Sequence, residues 1–178
     1  MSFDQVYWLG GITCSGKSTT AICIADRLGL ELYSTDASFD LHLLRVRQDL
    51  HPTMYEFVVD ARGWITWVRA QDIATQVGIW RRFYGERFTL IVEDLEDLIA
   101  LGRAVLVEGV ELFPDYVLRY SAVHQAAWML PTRLFFEQHY YTRPWADTSR
   151  DDTWMYYKAM RECVRVEVRR NDGTLIEN

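Results

Sequence analysis

The sequence predicts an α/β fold, with short apolar strands alternating with helices around a parallel sheet. Two observations carry that prediction. The first is Gly11-Ile12-Thr13-Cys14-Ser15-Gly16-Lys17-Ser18, a G-x-x-x-x-G-K-S pattern set between a β-forming run and a helical one. The second is that four more short apolar runs follow, near residues 31–34, 104–107, 126–130 and 174–176, separated by stretches of helical periodicity.

The elements follow in chain order. Val6-Tyr7-Trp8-Leu9 is apolar and rich in β-formers, as a parallel strand buried on both faces should be. After the glycine pattern, Ala21, Ile22, Ala25 and Leu28 fall at helical spacing, and Gly29 is the stop signal. Between strand and helix, Gly11 and Gly16 let the backbone turn so that successive N–H groups face one small volume. The helix that opens there adds its positive end. That is a phosphate-binding loop. Its candidate contacts are Gly11, Thr13, Cys14, Ser15, Gly16, Lys17, Ser18 and Thr19. Lys17 is placed to reach the β- and γ-phosphates, and the Ser18 hydroxyl to ligate Mg²⁺. Cys14 reads as a small side chain in a tight turn rather than as a reactive thiol.

Composition narrows the class. The chain has 178 residues, enough for one domain with a substantial core. Hydrophobic residues are 49% and charged residues 25%, an ordinary globular balance. The net charge of -6 weighs against a nucleic-acid partner, whose phosphates want a basic face. Three cysteines at no metal-ligand spacing argue against a disulfide framework or a zinc site. No signal-peptide pattern opens the sequence and no run is long enough to span a membrane, so a cytoplasmic protein without a membrane partner is expected.

Glu31 to Ser34 reads as the second strand. Asp36 then stands at its C-terminal end, where open α/β sheets place ligands. Ser38 or Asp40 is a candidate cap for a helix holding Leu41, Leu43, Leu44 and Val46. Residues 48–66 read as irregular, with a break at His51-Pro52. Residues 66–101 read as two helices meeting near Gly85, amid many aromatics and the cluster Arg81, Arg82, Arg87. That cluster reads either as a solvated face or as an anion site. Ala104 to Val107 is a buried strand ending in Glu108, where a carboxylate can hold Mg²⁺ or its waters; Glu111 is a weaker candidate.

Leu112 to Tyr120 reads as a short helix, and Ala126 to Leu130 as the fourth strand. Thr132 caps a helix through His139, which reads as structural. Arg143 and Arg150 flank a candidate cover over the phosphates, where arginines neutralise migrating charge. A long helix runs from Asp151 to about Arg170, with Met155, Ala159, Cys163 and Val166 as its apolar face. Asn171-Asp172-Gly173 is a turn, and Thr174 to Ile176 the fifth strand.

These motifs, in this order, resemble the P-loop small-molecule kinases. The layout is similar to shikimate kinase and the nucleoside-monophosphate kinases. Three pieces also look like 2-phosphoglycerate-kinase-like and zeta-toxin-like AAA-type kinases: Arg87-Phe88 to Glu93-Asp94-Leu95; Val107-Glu108-Gly109 with Leu112-Phe113-Pro114; and Leu130-Pro131-Thr132 to Arg143. The resemblance implies a three-layer fold with a five-stranded parallel sheet of order 2-3-1-4-5. It implies one domain over 1–178, an acceptor-binding helical insertion at 38–101 and a lid at 133–150. Asp36 matches the carboxylate that orients or deprotonates the acceptor hydroxyl. Two departures stand out. The acidic position after the third strand is Glu108 rather than an aspartate, and the sequence ends at the fifth strand, where relatives continue into a loop that packs on adenine.

The expected activity is therefore transfer of the γ-phosphoryl group of ATP, with Mg²⁺, to a small hydroxylated or phosphorylated metabolite. Lys17, Asp36 and Arg143 are the candidate catalytic residues, and Ser18 and Glu108 the metal-shell candidates. Two alternatives remain open: a nucleotide-binding switch or partner-binding module, and, with less support, a polynucleotide 5′-kinase. The sequence names neither the acceptor nor the oligomeric state.

Overall fold

The computed structural model describes residues 2–144, 146 and 150–178. Five strands form one sheet: β1 (Val6–Gly11), β2 (Glu31–Ser34), β3 (Val105–Glu108), β4 (Ala126–Leu130) and β5 (Thr174–Glu177). Their order is β2-β3-β1-β4-β5, and every neighbouring pair is parallel, as expected. β3 is buried at all four positions, which suits a central strand covered on both faces. The register sets Leu9 and Ser34 both beside Glu108. The C-terminal ends of β1, β2 and β3 are therefore level, and the residues after them share one edge.

Eight α-helices accompany the sheet among the described residues. The first, α1 (Lys17–Leu28), lays Ala21 and Ala25 against Leu9, Leu106 and Met129. Ile22 and Leu28, expected on the same face, are 50% and 65% exposed. Ile22 lies about 100° round the helix from Ala21. Leu28 sits in the last turn, just before Gly29 (φ 65°) takes the chain away.

The stretch from α2 (Phe39–Leu43) to α5 differs most from the sequence reading. Residues 48–66 are largely helical, in α3 (Pro52–Val59) and α4 (Ala61–Arg69). Pro52 stands at the start of α3, where its fixed φ is favourable. The Asp60 carboxylate caps α4 by accepting from the Gly63 N–H at 3.0 Å. The expected break at Gly85 is absent: α5 (Ile73–Ala100) runs unbroken through it. The break lies at 70–72 instead, where Asp72 caps α5 through the Thr75 N–H at 3.0 Å. Gly85 serves packing. A Cβ there would stand 3.2 Å from the Tyr116 hydroxyl, which donates to the Arg81 carbonyl at 2.9 Å.

Beyond β3 come α6 (Pro114–Val117), α7 (Arg133–Tyr140) and α8 (Arg150–Arg170). Thr132 caps α7 as expected, accepting from the Phe135 N–H. In α8 the buried stripe is Met160, Val164 and Val168, whereas Met155 and Val166 are 51% and 60% exposed. The helix is thus rotated from its expected face, with Ala159 and Cys163 at the margin of the core.

Two main cores result. One joins the sheet to α5 and α8 through Trp8, Trp128, Phe88, Ile91, Leu95, Val164 and neighbours. The other lies within α3–α5 and contains Met54, Trp64, Val68, Ile79, Phe83 and Leu90. Each fully buried aliphatic or aromatic side chain contributes about 1.5–3 kcal/mol relative to exposure. The aromatic density of residues 55–88 is therefore largely the core of a small helical unit.

Candidate functional site

The glycine pattern folds as a tight loop between β1 and α1. Gly11 (φ 126°), Cys14 (φ 58°) and Gly16 (φ 84°) all adopt positive φ. A side chain on Gly11 would overlap the Met129 carbonyl of β4, so glycine is required for both conformation and space. Gly16 is the N-cap of α1, with no side-chain cap and no acidic residue in the first turn. The helix therefore offers its free N–H groups and positive end without internal competition from a carboxylate. From the far edge, Asn178 donates its side-chain amide to the Ser15 carbonyl at 2.6 Å. The Thr13 side chain meets the Tyr157 hydroxyl.

Lys17 is buried, and its ammonium donates to the Ile12 carbonyl at 2.8 Å and lies 3.5 Å from Ser15 Oγ. Burial pulls its pKa below the usual lysine range; Glu108, Asp36 and Glu111 oppose that pull. The cation thus rests on the loop's own carbonyl, with three carboxylates close enough to be felt.

Glu108 ends β3, 3% exposed. Its carboxylate accepts from Ser34 Oγ at 2.6 Å and Ser18 Oγ at 3.2 Å. An exposed hydroxyl and a carboxylate are thus brought together at the mouth of the loop. These are hard oxygen donors, and few, which fits Mg²⁺: it takes one or two protein ligands and keeps several waters. Among the described residues no group of three or more His, Cys, Asp or Glu could hold a metal ion. A divalent ion here would complete its shell with water and ligand oxygens.

Asp36 is exposed, but its neighbour Thr35 is fully buried. Thr35 Oγ1 donates to Glu111 Oε2 at 2.6 Å, and the Thr35 carbonyl accepts from Arg87 Nη2. Glu111, the weaker metal candidate, is buried in an ion pair with Arg87 Nη1. Arg87 Nε donates to His42 Nδ1 at 3.3 Å. His42 must therefore carry its proton on Nε2, which donates to Asp94 at 2.9 Å. Tyr33 and Arg45 also bond Asp94.

The arginine cluster of α5 does not form one anion site. Arg81 pairs with Glu167 at 2.5 Å and lies 4.8 Å from the Phe113 ring centre, while Arg87 is turned into the network just described.

On the opposite side, Arg143 is exposed and hydrogen-bonds the Cys14 side chain. Burial pushes the Cys14 thiol up, while Arg143 and Lys17 pull it down; the net shift is upward, which supports the inert reading. His139 Nδ1 bonds the Phe135 carbonyl at 2.8 Å, a local contact within α7. Phe136, Tyr140 and Trp154 cluster with Cys14, seating α7 and the start of α8 on the loop. Of the expected cover at 133–150, Trp145, Asp147, Thr148 and Ser149 lie outside the described residues, as does the Arg150 side chain.

The structure thus gathers Lys17, Ser18, Glu108 and Asp36 at one sheet edge, with Arg143 beside Cys14. Sequence reading missed Ser34, Thr35, His42 and Asp94 and left Arg87 ambiguous. The local signals were the adjacency of Ser34-Thr35 to Asp36 and the Arg87-to-Leu95 piece that resembles the kinase group.

No family model matches the chain, and no curated protein matches it in sequence. Among solved structures it is similar to the crystal structure of TT1252 from Thermus thermophilus, at 20% identity and a TM-score of 0.61, over 97% of this chain and 87% of that one. A second similar structure is dephospho-CoA kinase from Campylobacter jejuni, at 14% identity and a TM-score of 0.46, over 98% and 88% of the two chains. The first of these likenesses shows a shared fold across nearly the whole chain.

Proposed function

We propose that this protein is an ATP-dependent phosphotransferase that moves the γ-phosphoryl group to a small hydroxylated or phosphorylated metabolite. The observation that carries the reading is the loop itself: three positive-φ residues, an uncapped helix start, a buried lysine and a Ser18–Glu108 contact within one sheet edge. That arrangement suits the phosphates of a nucleotide.

On this reading Gly11, Thr13, Cys14, Ser15, Gly16 and Thr19 line the phosphates, and Lys17 exchanges the Ile12 carbonyl for phosphate oxygens. Ser18 and Glu108 would hold Mg²⁺ directly or through its waters, and the bound ion would neutralise phosphate charge. Asp36 orients the acceptor hydroxyl and takes its proton. The acceptor oxygen bonds to the γ-phosphorus as the bond to the β–γ bridging oxygen breaks, and ADP leaves with the electron pair. Arg143 offsets the charge of the migrating group. The rate comes from placement and electrostatics rather than from covalent catalysis. Residues 38–101 form the acceptor side and 133–150 the lid. Among the described residues no helix is long and apolar enough to cross a membrane. A cytoplasmic location, where MgATP is supplied, fits this chemistry.

The test is ADP release from MgATP with a panel of acceptors: shikimate, glycerate, 2-phosphoglycerate, nucleosides and nucleoside monophosphates, against water alone. Acceptor-dependent release that disappears in Lys17→Ala, with the fold retained by circular dichroism, supports the assignment. Slow acceptor-independent hydrolysis would move the reading to a nucleotide switch, and no calorimetric uptake of any purine triphosphate at millimolar Mg²⁺ would falsify it.

A further inference from the structure

We infer that the buried Arg87–Glu111 pair is a positioning device for Asp36: by gripping Thr35 at its carbonyl and its hydroxyl, it fixes where the neighbouring carboxylate stands. The use made of Asp36 rests on the phosphotransferase reading above; the grip itself does not.

Regular structure does not order this turn. β2 ends at Ser34 and α2 begins at Phe39, so residues 35–38 belong to neither. Thr35 is nonetheless fully buried and held on every side. Its N–H donates to the Glu108 carbonyl at 3.0 Å. Its hydroxyl donates to Glu111, and its carbonyl accepts from Arg87 and from Ser38 Oγ at 3.1 Å. A Cβ at Gly109 would overlap the Thr35 side chain, so the backbone after β3 closes the remaining side.

Arg87 also grips the far end of the turn. Its Nε donates to His42 within α2, and its guanidinium lies 4.6 Å from the ring centre of Phe39, the first residue of α2. One planar fork thus anchors the residue before Asp36 and the helix after it. The three donor directions of that fork are fixed relative to one another, which an ammonium cannot reproduce.

An ion pair is a poor choice if stability is all that is needed. Desolvating both charges cancels most of their attraction, and apolar side chains of similar volume are often as good or better. What apolar side chains cannot supply is direction toward a carbonyl and a hydroxyl. Arg87 and Glu111 touch Thr35 and not the exposed carboxylate, so both act on Asp36 through Thr35.

The decisive variant is Arg87→Met with Glu111→Leu, an apolar exchange that leaves no unpaired charge. Three measurements are made: thermal unfolding, MgATP binding by calorimetry, and amide exchange across residues 34–39. Expected are an unchanged or higher Tm, a MgATP Kd within threefold of wild type, and exchange at least tenfold faster at the Thr35, Ser38 and Phe39 amides. With an acceptor found in the panel, kcat falls at least tenfold while MgATP affinity holds. Arg87→Lys, which keeps the charge but not the fork, loses kcat as well. Should the double variant fail to fold, Thr35→Val against Thr35→Ser carries the same comparison: the serine keeps the hydroxyl and rescues turnover and exchange, the valine does not. Wild-type exchange and kcat in the folded double variant, or equal behaviour of the valine and serine variants, would overturn the inference. If wild type transfers no phosphoryl group to any acceptor, the functional reading fails, and the exchange data alone decide whether the turn is gripped.

Discussion

The two sides of the site are built by different means. Gly11 to Ser18 is made of consecutive backbone: positive φ at three residues and free N–H groups at the start of α1. The Thr35–Asp36 side is made of side chains drawn together from β3's end, α5 and α2. Its contacts span separations of 24 (Arg87–Glu111), 52 (Arg87–Thr35) and 76 (Thr35–Glu111) residues. A backbone-built site tolerates change in most of its side chains, but not in its glycines. A network-built site depends on each partner, because removing one leaves another buried and unpaired.

That contrast can be broken, and the largest effect is expected at Lys17, one of the few loop side chains, with Ser18, that the reading needs. Lys17→Ala should remove measurable turnover with little change in Tm, read by ADP release beside thermal unfolding. Next, Arg87→Ala should destabilise the protein by about 3–5 kcal/mol, since it strands the Glu111 charge in the interior; urea titration measures this. If that loss is under about 1 kcal/mol, the network side is less dependent on its partners than argued. Gly11→Ala should cost about 1–3 kcal/mol from backbone strain alone, with further loss from the clash at the Met129 carbonyl. MgATP binding should fall with it.

A gentler probe is pH. Burial lowers the His42 pKa, with Arg87 and Arg45 adding to that effect and Asp94 opposing it. The unfolded chain protonates His42 near 6.5, whereas the folded chain does so only at lower pH. Between those values the unfolded state binds more protons, so stability rises with pH. His42 thus leaves stability level above about 6.5 and lowers it as pH falls toward the folded value. His42→Asn should flatten that slope in Tm against pH; an unchanged slope would detach His42 from it. Smallest of all, Arg103→Ala removes a half-exposed pair with Glu31 and should change stability by less than about 1 kcal/mol.

The same contrast explains what the sequence disclosed. A loop made of consecutive residues between a strand and a helix is written locally, so Gly11 to Ser18 and the strands around it are legible. Asp36 and Glu108 are legible too, because each follows a strand that the pattern marks. Arg87 is not. Its partners are dozens of residues away, and charge and helical position alone do not separate it from Arg81, which pairs with Glu167 instead. Gly85 misleads for a related reason: as a helix breaker it predicts an interruption, but its role is to admit Tyr116 from another element. Ile22 and Met155 show the limit of periodicity, which gives a helix its stripe but not the rotation chosen by its neighbours.

The unbroken course of α5 has a mechanical consequence. At 28 residues it is about 42 Å long, and along that length it packs Val77, Ile91 and Leu95 into the sheet core and Ile79, Phe83 and Leu90 into the helical unit. With Tyr116 wedged at Gly85, this spar has no pivot midway. The sheet core holds it near both ends, through Ile73 and Val77 and through Ile91 and Leu95. Compliance must therefore come from the short joints between α2 and α3 and between α4 and α5, and stiffening those joints, rather than α5, would alter how readily the outer helices yield.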